Sequence, residues 1–171
     1  MISPNNNSSG SMQQCREQVH ATVSGTNIVM SLLGVAAMYK AHLLSGLANF
    51  YSLHSWIGAL TNAFYLSQFL FGLIAFLKPG MSQHRRAQLM PWHRLAGTMV
   101  LVLAATAAIT GIAELVIFQD RDGVYQKFTA ITFIANFAGI SVVLMTATSV
   151  YLVTAPQYLR PALPEELPLK R

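Results

Sequence analysis

The chain has 171 residues, 53% of them hydrophobic and only 10% charged, with a mean hydropathy of +0.45. A soluble domain carries about 25% charged residues, so most of this chain cannot face water and it reads as one all-α membrane domain. The net charge of +5 is not a nucleic-acid surface, because the basic residues are split among loops and tails and never cover one helix face. The lone cysteine, Cys15, excludes an internal disulfide framework and a Cys-x-x-Cys metal site.

Residues 1–15 are rich in Asn, Ser and Gln, without a basic region or an apolar run. They read as a disordered polar leader rather than a secretory signal. Residues 16–158 form the membrane domain, and 159–171 a tail. A bilayer core about 30 Å thick needs about 20 helical residues, and four stretches qualify. Helix A covers roughly His20 to Tyr39, helix B Ser52 to Leu77, helix C roughly Met90 to Phe118, and helix D roughly Phe128 to Thr154. Pro79-Gly80, Asp122-Gly123 and Pro156 supply stop signals. Pro91 reads as a first-turn proline of helix C. Ser24, Thr26, Asn27 and Ser31 dilute helix A and favour a bundle interior, as do Asn62 and Asn136. Gly34, Gly72, Gly97, Gly111 and Gly139 let helices approach closely, or leave space for a flat group between them.

Loop charge sets the orientation. Lys78, Arg85 and Arg86 fall between helices B and C, Arg16 in the N-terminal segment, and Arg160, Lys170 and Arg171 in the tail. The A–B side has only Lys40, and the C–D loop mixes Asp120, Arg121, Asp122 and Lys127. The positive-inside rule then puts both termini and the B–C loop in the cytoplasm. Endomembrane vesicles, lysosome and plasma membrane are equally compatible.

The histidines are the most informative residues. Lipid tolerates few ionisable side chains, and those it holds usually line a polar interior, a pathway or a cofactor. Helices A and C both start at the inner face, so His20 and His93 share a depth and can face each other, whereas His54, at the outer start of helix B, cannot join them. Two imidazoles at one depth are what six-coordinate haem iron needs. The alternative is that each histidine hydrogen-bonds a neighbour and anchors the helix interface. His84 reads as a solvated residue of the inner loop, and His42 as a residue of the outer one.

Tyr51-Ser52-Leu53-His54-Ser55-Trp56 with Gly58, Leu89-Met90-Pro91-Trp92-His93, and Gly111-Ile112-Ala113-Glu114 with Ile117-Phe118 resemble the cytochrome b561 family of transmembrane ascorbate-dependent reductases. The likeness runs from about Arg16 to Pro161. It implies a partial version of a six-helix fold, a four-transmembrane-helix bundle in which helices A to D match the family's third to sixth. It also implies two haems b in the complete fold. His20 and His93 match the axial ligands of the inner haem. His54 matches one ligand of the outer haem, whose partner lies on a helix with no counterpart before helix A, so one haem is expected for this chain alone.

For the substrates, the resemblance implies an outer site of His42, Asn49 and Phe118. His42 stands twelve residues before His54. Asn49 is alternatively a cap before helix B, and Phe118 an interface aromatic. Arg86 matches a basic residue of the inner site. Where the family often has lysine this chain has Glu17, with Arg16 beside it as a substitute. The implied function is electron transfer from cytoplasmic ascorbate to monodehydroascorbate or ferric iron on the opposite face. The alternative is a non-catalytic subunit that associates with full-length family members, and a homodimer is compatible with either. Glu114 reads as a terminal-turn carboxylate at the outer headgroup level, and residues 120–123 as a turn.

The orientation has a direct test. Asn6-Asn7-Ser8 and Asn7-Ser8-Ser9 match the N-glycosylation pattern. With a cytoplasmic N-terminus both remain unmodified when the chain is expressed in cells. A glycosidase-sensitive mass shift lost on mutating Asn6 and Asn7 overturns the orientation.

Overall fold

The computed structural model describes residues 5–120, Lys127 and residues 129–159. Every element among them is helical: α1 (Asn5–Ser45), α2 (Leu53–Gly72) with a π-helical turn (Leu73–Leu77) continuing it, α3 (Gln83–Gln119), α4 (Ala130–Thr154) and a 3-10 turn (Pro156–Tyr158). All four long helices are long and apolar enough to cross a membrane. They pack in chain order, α1 on α2, α2 on α3 and α3 on α4, with the tightest contact between α2 and α3. The result is an open all-α bundle. Only Ala75, Ala155, Thr61 and Thr132 are buried, because side chains that would fill a core in water face lipid instead.

The apolar stretches locate the spans, but two helices start earlier than expected. α1 begins at Asn5, so the leader expected to be disordered is helical from that residue on. α3 begins at Gln83, and its first turns hold His84, Arg85 and Arg86, which the charge pattern assigned to a loop. Ser82 caps it, its hydroxyl accepting from the Arg85 amide at 3.4 Å. Pro91 therefore lies inside α3 rather than in its first turn, and the Ala87 carbonyl has no α-helical N–H partner there. At 1.5 Å per residue α1 and α3 run about 60 and 55 Å, well beyond the hydrocarbon core. The signals at Asp122-Gly123 and the basic tail residues lie outside the described residues.

α1 ends in a Schellman turn. Gly46 has φ +67, the Leu47 amide donates to the His42 carbonyl at 2.9 Å, and the Gly46 amide donates to Leu43 at 3.4 Å. His42 is thus in the last turn of α1, not in a loop. Ser52, not Asn49, caps α2, accepting from the Ser55 amide at 3.2 Å.

The polar residues diluting helix A tie α1 to α2. The Ser31 hydroxyl donates to Asn62 Oδ1 at 2.6 Å, and Asn62 Nδ2 donates back to the Gly58 carbonyl at 2.9 Å. Tyr65 donates to the Ser24 carbonyl at 3.3 Å and accepts from Asn27 at 3.5 Å. In lipid an unmet polar group has no water to turn to, so such bonds hold helices together. Asn62→Leu removes the Ser31 bond and is expected to destabilise the chain by about 0.6–1.7 kcal/mol. Equilibrium unfolding in mixed micelles measures this, and unchanged stability would show that the bond does not hold α1 in place.

Candidate functional site

α2 and α3 exchange histidines and glycines. His54 of α2 lies on Gly111 of α3, where an added Cβ would meet ring atoms Cε1 and Nδ1 at 2.8 and 2.9 Å. His93 of α3 lies on Gly72 of α2, where the nearest ring atom would be 3.3 Å from an added Cβ. Gly72 follows His54 by 18 residues, and Gly111 follows His93 by 18. Eighteen residues make about five helical turns, or roughly 27 Å, so each helix presents one histidine and one glycine on the same face, one near each end. Because the helices are antiparallel, the two contacts lie at opposite ends of the interface.

At the inner end His20 and His93 come together, their ring centroids 6.4 Å apart and their planes at 88°. Two metal–nitrogen bonds of about 2.0 Å on opposite sides of one ion, with the distance from each nitrogen to its ring centre, place imidazole centroids roughly 6 Å apart. The spacing fits a metal held between two imidazoles. Phe71 and Phe76 flank the His93 ring at centroid distances of 6.3 and 5.0 Å. The π-helical turn puts them there: the Lys78 amide bonds the Leu73 carbonyl at 2.9 Å, and this wider winding brings residues five apart toward one face. Gln68 Nε2 lies 2.8 Å from His93 Nδ1 and donates to the His93 carbonyl at 2.6 Å.

Arg16 is exposed and stands one helical turn before His20 on α1. Arg86 stands about two turns before His93 on α3. Its Nη2 donates to the Lys78 carbonyl at 3.2 Å, and its Nε is a buried donor with no partner among the described residues. Both cations thus lie on the same side of the paired imidazoles, an arrangement that suits an anion.

At the outer end the His54 Nδ1 lies 2.8 Å from the Ala107 carbonyl. A carbonyl only accepts, so Nδ1 carries the proton and Nε2 keeps its lone pair. A pocket of about 290 Å³ beside it is lined by Ser52, His54, Thr110, Glu114 and Phe118, among others, with no second histidine in its wall. Tyr51 and Ser52 donate to the two Glu114 oxygens, each at 3.1 Å. Glu114 is therefore tied to the loop rather than left as a free end-turn carboxylate. Desolvation, the hydrogen bond to Glu114 and its charge together push the Tyr51 phenol above its ordinary range, which keeps it a donor. The His42 ring lies 6.5 Å from that of Tyr51. Phe50 holds a left-handed φ of 55, and its carbonyl accepts from the Trp56 indole at 3.0 Å. Asn49 is half-buried in the same loop. Of the expected outer residues, Phe118 shares the pocket with His54, and His42 joins it through Tyr51. Gln68, Phe71, Phe76 and Tyr51 were not anticipated. A signal for Gln68 was present, as a polar amide within an apolar span.

A membrane protein with paired imidazoles at one depth is the class these features define. The profile described as eukaryotic cytochrome b561 matches residues 5–119, and the chain belongs to that family. It is 38% identical over 140 residues to a probable ascorbate-specific transmembrane electron transporter 2 of Oryza sativa subsp. japonica, covering 82% of this chain and 59% of that protein. It is 34% identical to transmembrane ascorbate ferrireductase 2 of Arabidopsis thaliana, covering 82% and 61%. A transmembrane ascorbate-dependent reductase of Sus scrofa is 33% identical, covering 86% and 58%. The chain thus spans about three-fifths of the length of these relatives.

The glycine contacts yield an ordered expectation. Gly111→Ala forces the His54 ring off the Ala107 carbonyl, because its Cβ would fall well inside contact distance. Gly72→Ala needs only a few tenths of an ångström from His93. Overpacking costs about 1–3 kcal/mol, and Gly111→Ala should lie at the upper end with Gly72→Ala below it, as read by thermal unfolding in detergent. Equal costs would contradict the geometry.

Proposed function

We propose that the chain holds haem b between His20 and His93 and carries electrons across a membrane. The donor in this reading is ascorbate on the cytoplasmic side, and the acceptor is monodehydroascorbate or ferric iron on the other. The observation carrying it is the 6.4 Å approach of the two imidazoles, from helices that enter the membrane from the same side. The names of the relatives, ascorbate electron transporters and a ferrireductase, support the choice of donor. When bound, haem supplies the one-electron chemistry, and the protein supplies binding, orientation and electrostatics.

The residues have separate tasks. His20 and His93 hold the iron, and Phe71 and Phe76 exclude water from the His93 ring. Arg86, with its unpartnered Nε, and Arg16 attract an anion to the inner face: ascorbate is a monoanion, and a guanidinium is the natural partner for its oxygens. At the outer face His42, Asn49 and Phe118 form the acceptor site, and Tyr51, Ser52 and Glu114 fix the loop carrying it. His54 offers Nε2 to a second iron, for which the pocket beside it supplies no second imidazole.

A second reading, a membrane subunit that associates with longer family members and transfers no electrons itself, is favoured by the wide apolar faces that the open bundle leaves uncovered. One measurement separates the two. The purified chain should bind about one haem, counted by pyridine haemochrome against protein. It should show a low-spin bis-imidazole signal that ascorbate removes, and His93→Ala should abolish that signal. Absence of haem from the purified chain favours the subunit reading. Two haems per chain would mean that a group outside the described set completes the His54 site.

A further inference from the structure

The exchange between α2 and α3 extends beyond histidines and glycines. Ala107 follows His93 by 14 residues, and Gln68 follows His54 by 14. In the antiparallel pair these positions are equivalent, and each meets the Nδ1 of the opposing histidine at 2.8 Å. At the outer end the group met is the Ala107 backbone carbonyl. At the inner end it is the Gln68 side-chain amide. We propose that Gln68 is the positioning residue for His93, setting which imidazole nitrogen is offered to a metal.

The orientation of the amide follows from its neighbours. Its nitrogen also lies 2.6 Å from the His93 carbonyl, which can only accept, so the NH2 group faces it. The second amide hydrogen then points to Nδ1, which accepts, and the ring proton sits on Nε2. His54 is the opposite case, because its carbonyl partner holds the proton on Nδ1 and leaves Nε2 free. A backbone carbonyl presents one face only, whereas a side-chain amide can turn. For His93 to bind iron through Nε2, its one ring proton moves from Nε2 to Nδ1, and Gln68 turns to present Oε1 to the new N–H. The ring keeps one proton throughout, and no charge is created. Partners of the non-ligating nitrogen typically change metal affinity about 10–100-fold when removed.

This inference rests on the haem reading for its consequence but not for its first test. In the haem-free full chain, 15N spectra of labelled histidine in lipid should show His93 as the Nε2–H tautomer. Gln68→Glu, whose carboxylate accepts but does not donate, should convert it to Nδ1–H while leaving His54 unchanged. The same His93 tautomer in both proteins overturns the proposal. In the haem-loaded chain, Gln68→Leu should release haem about 10–100-fold more readily. Gln68→Glu should retain it, with a midpoint potential lowered by at least about 59 mV, a tenfold change in the one-electron equilibrium. Unchanged retention and potential in both variants overturns it as well. If the chain takes up no haem at all, the haem reading fails, and the tautomer measurement still decides the role of Gln68.

Discussion

The close approach of α2 and α3 is the constraint on which the rest of the molecule depends. In lipid the helices gain little from hiding apolar surface, since the solvent is as apolar as they are, and packing must come from shape and from polar groups that need partners. Two glycines make room for two imidazoles in this interface, and each imidazole finds its partner on the opposite helix. α1 then adds to α2 through Ser31, Asn62 and Tyr65, which brings His20 to His93. α4 adds to α3 alone and contributes no residue to either end of the site.

The two ends of the interface share a plan and differ in one chemical respect. Both place a histidine on a glycine, and both place an acceptor or donor at the same offset from the facing histidine. The outer end uses backbone, whose orientation the helix fixes. The inner end uses a side chain, which brings rotational freedom and sensitivity to mutation. The outer end compensates with its loop, where Trp56 holds the strained Phe50 carbonyl and Glu114 collects Tyr51 and Ser52.

Hydropathy and loop charge were enough to read four spans and the shared depth of His20 and His93, because in a membrane apolar length and position along the span translate directly into depth. They did not locate where α1 and α3 begin, because a helix extending into water needs no apolar signal. Gln and Arg are good helix formers, and Ser82 is an ordinary cap. The schedule of 14 and 18 residues that pairs His54 and His93 with Ala107, Gln68 and the two glycines was present in the sequence. It becomes meaningful only once α2 and α3 are known to be antiparallel and in contact. The partners of Glu114 depend on the loop backbone, for which composition gives no rule.

The π-helical turn at Leu73–Leu77 amounts to one residue more than an α-helix would use over that stretch. Its effect is angular rather than linear. Deleting a single residue there would let α2 continue as a regular helix. The chain beyond would turn by about 100°, swinging Phe76 off the His93 ring and redirecting the approach to Ser82. This short segment is therefore where the chain should tolerate exchange of one apolar residue for another far better than any change in length.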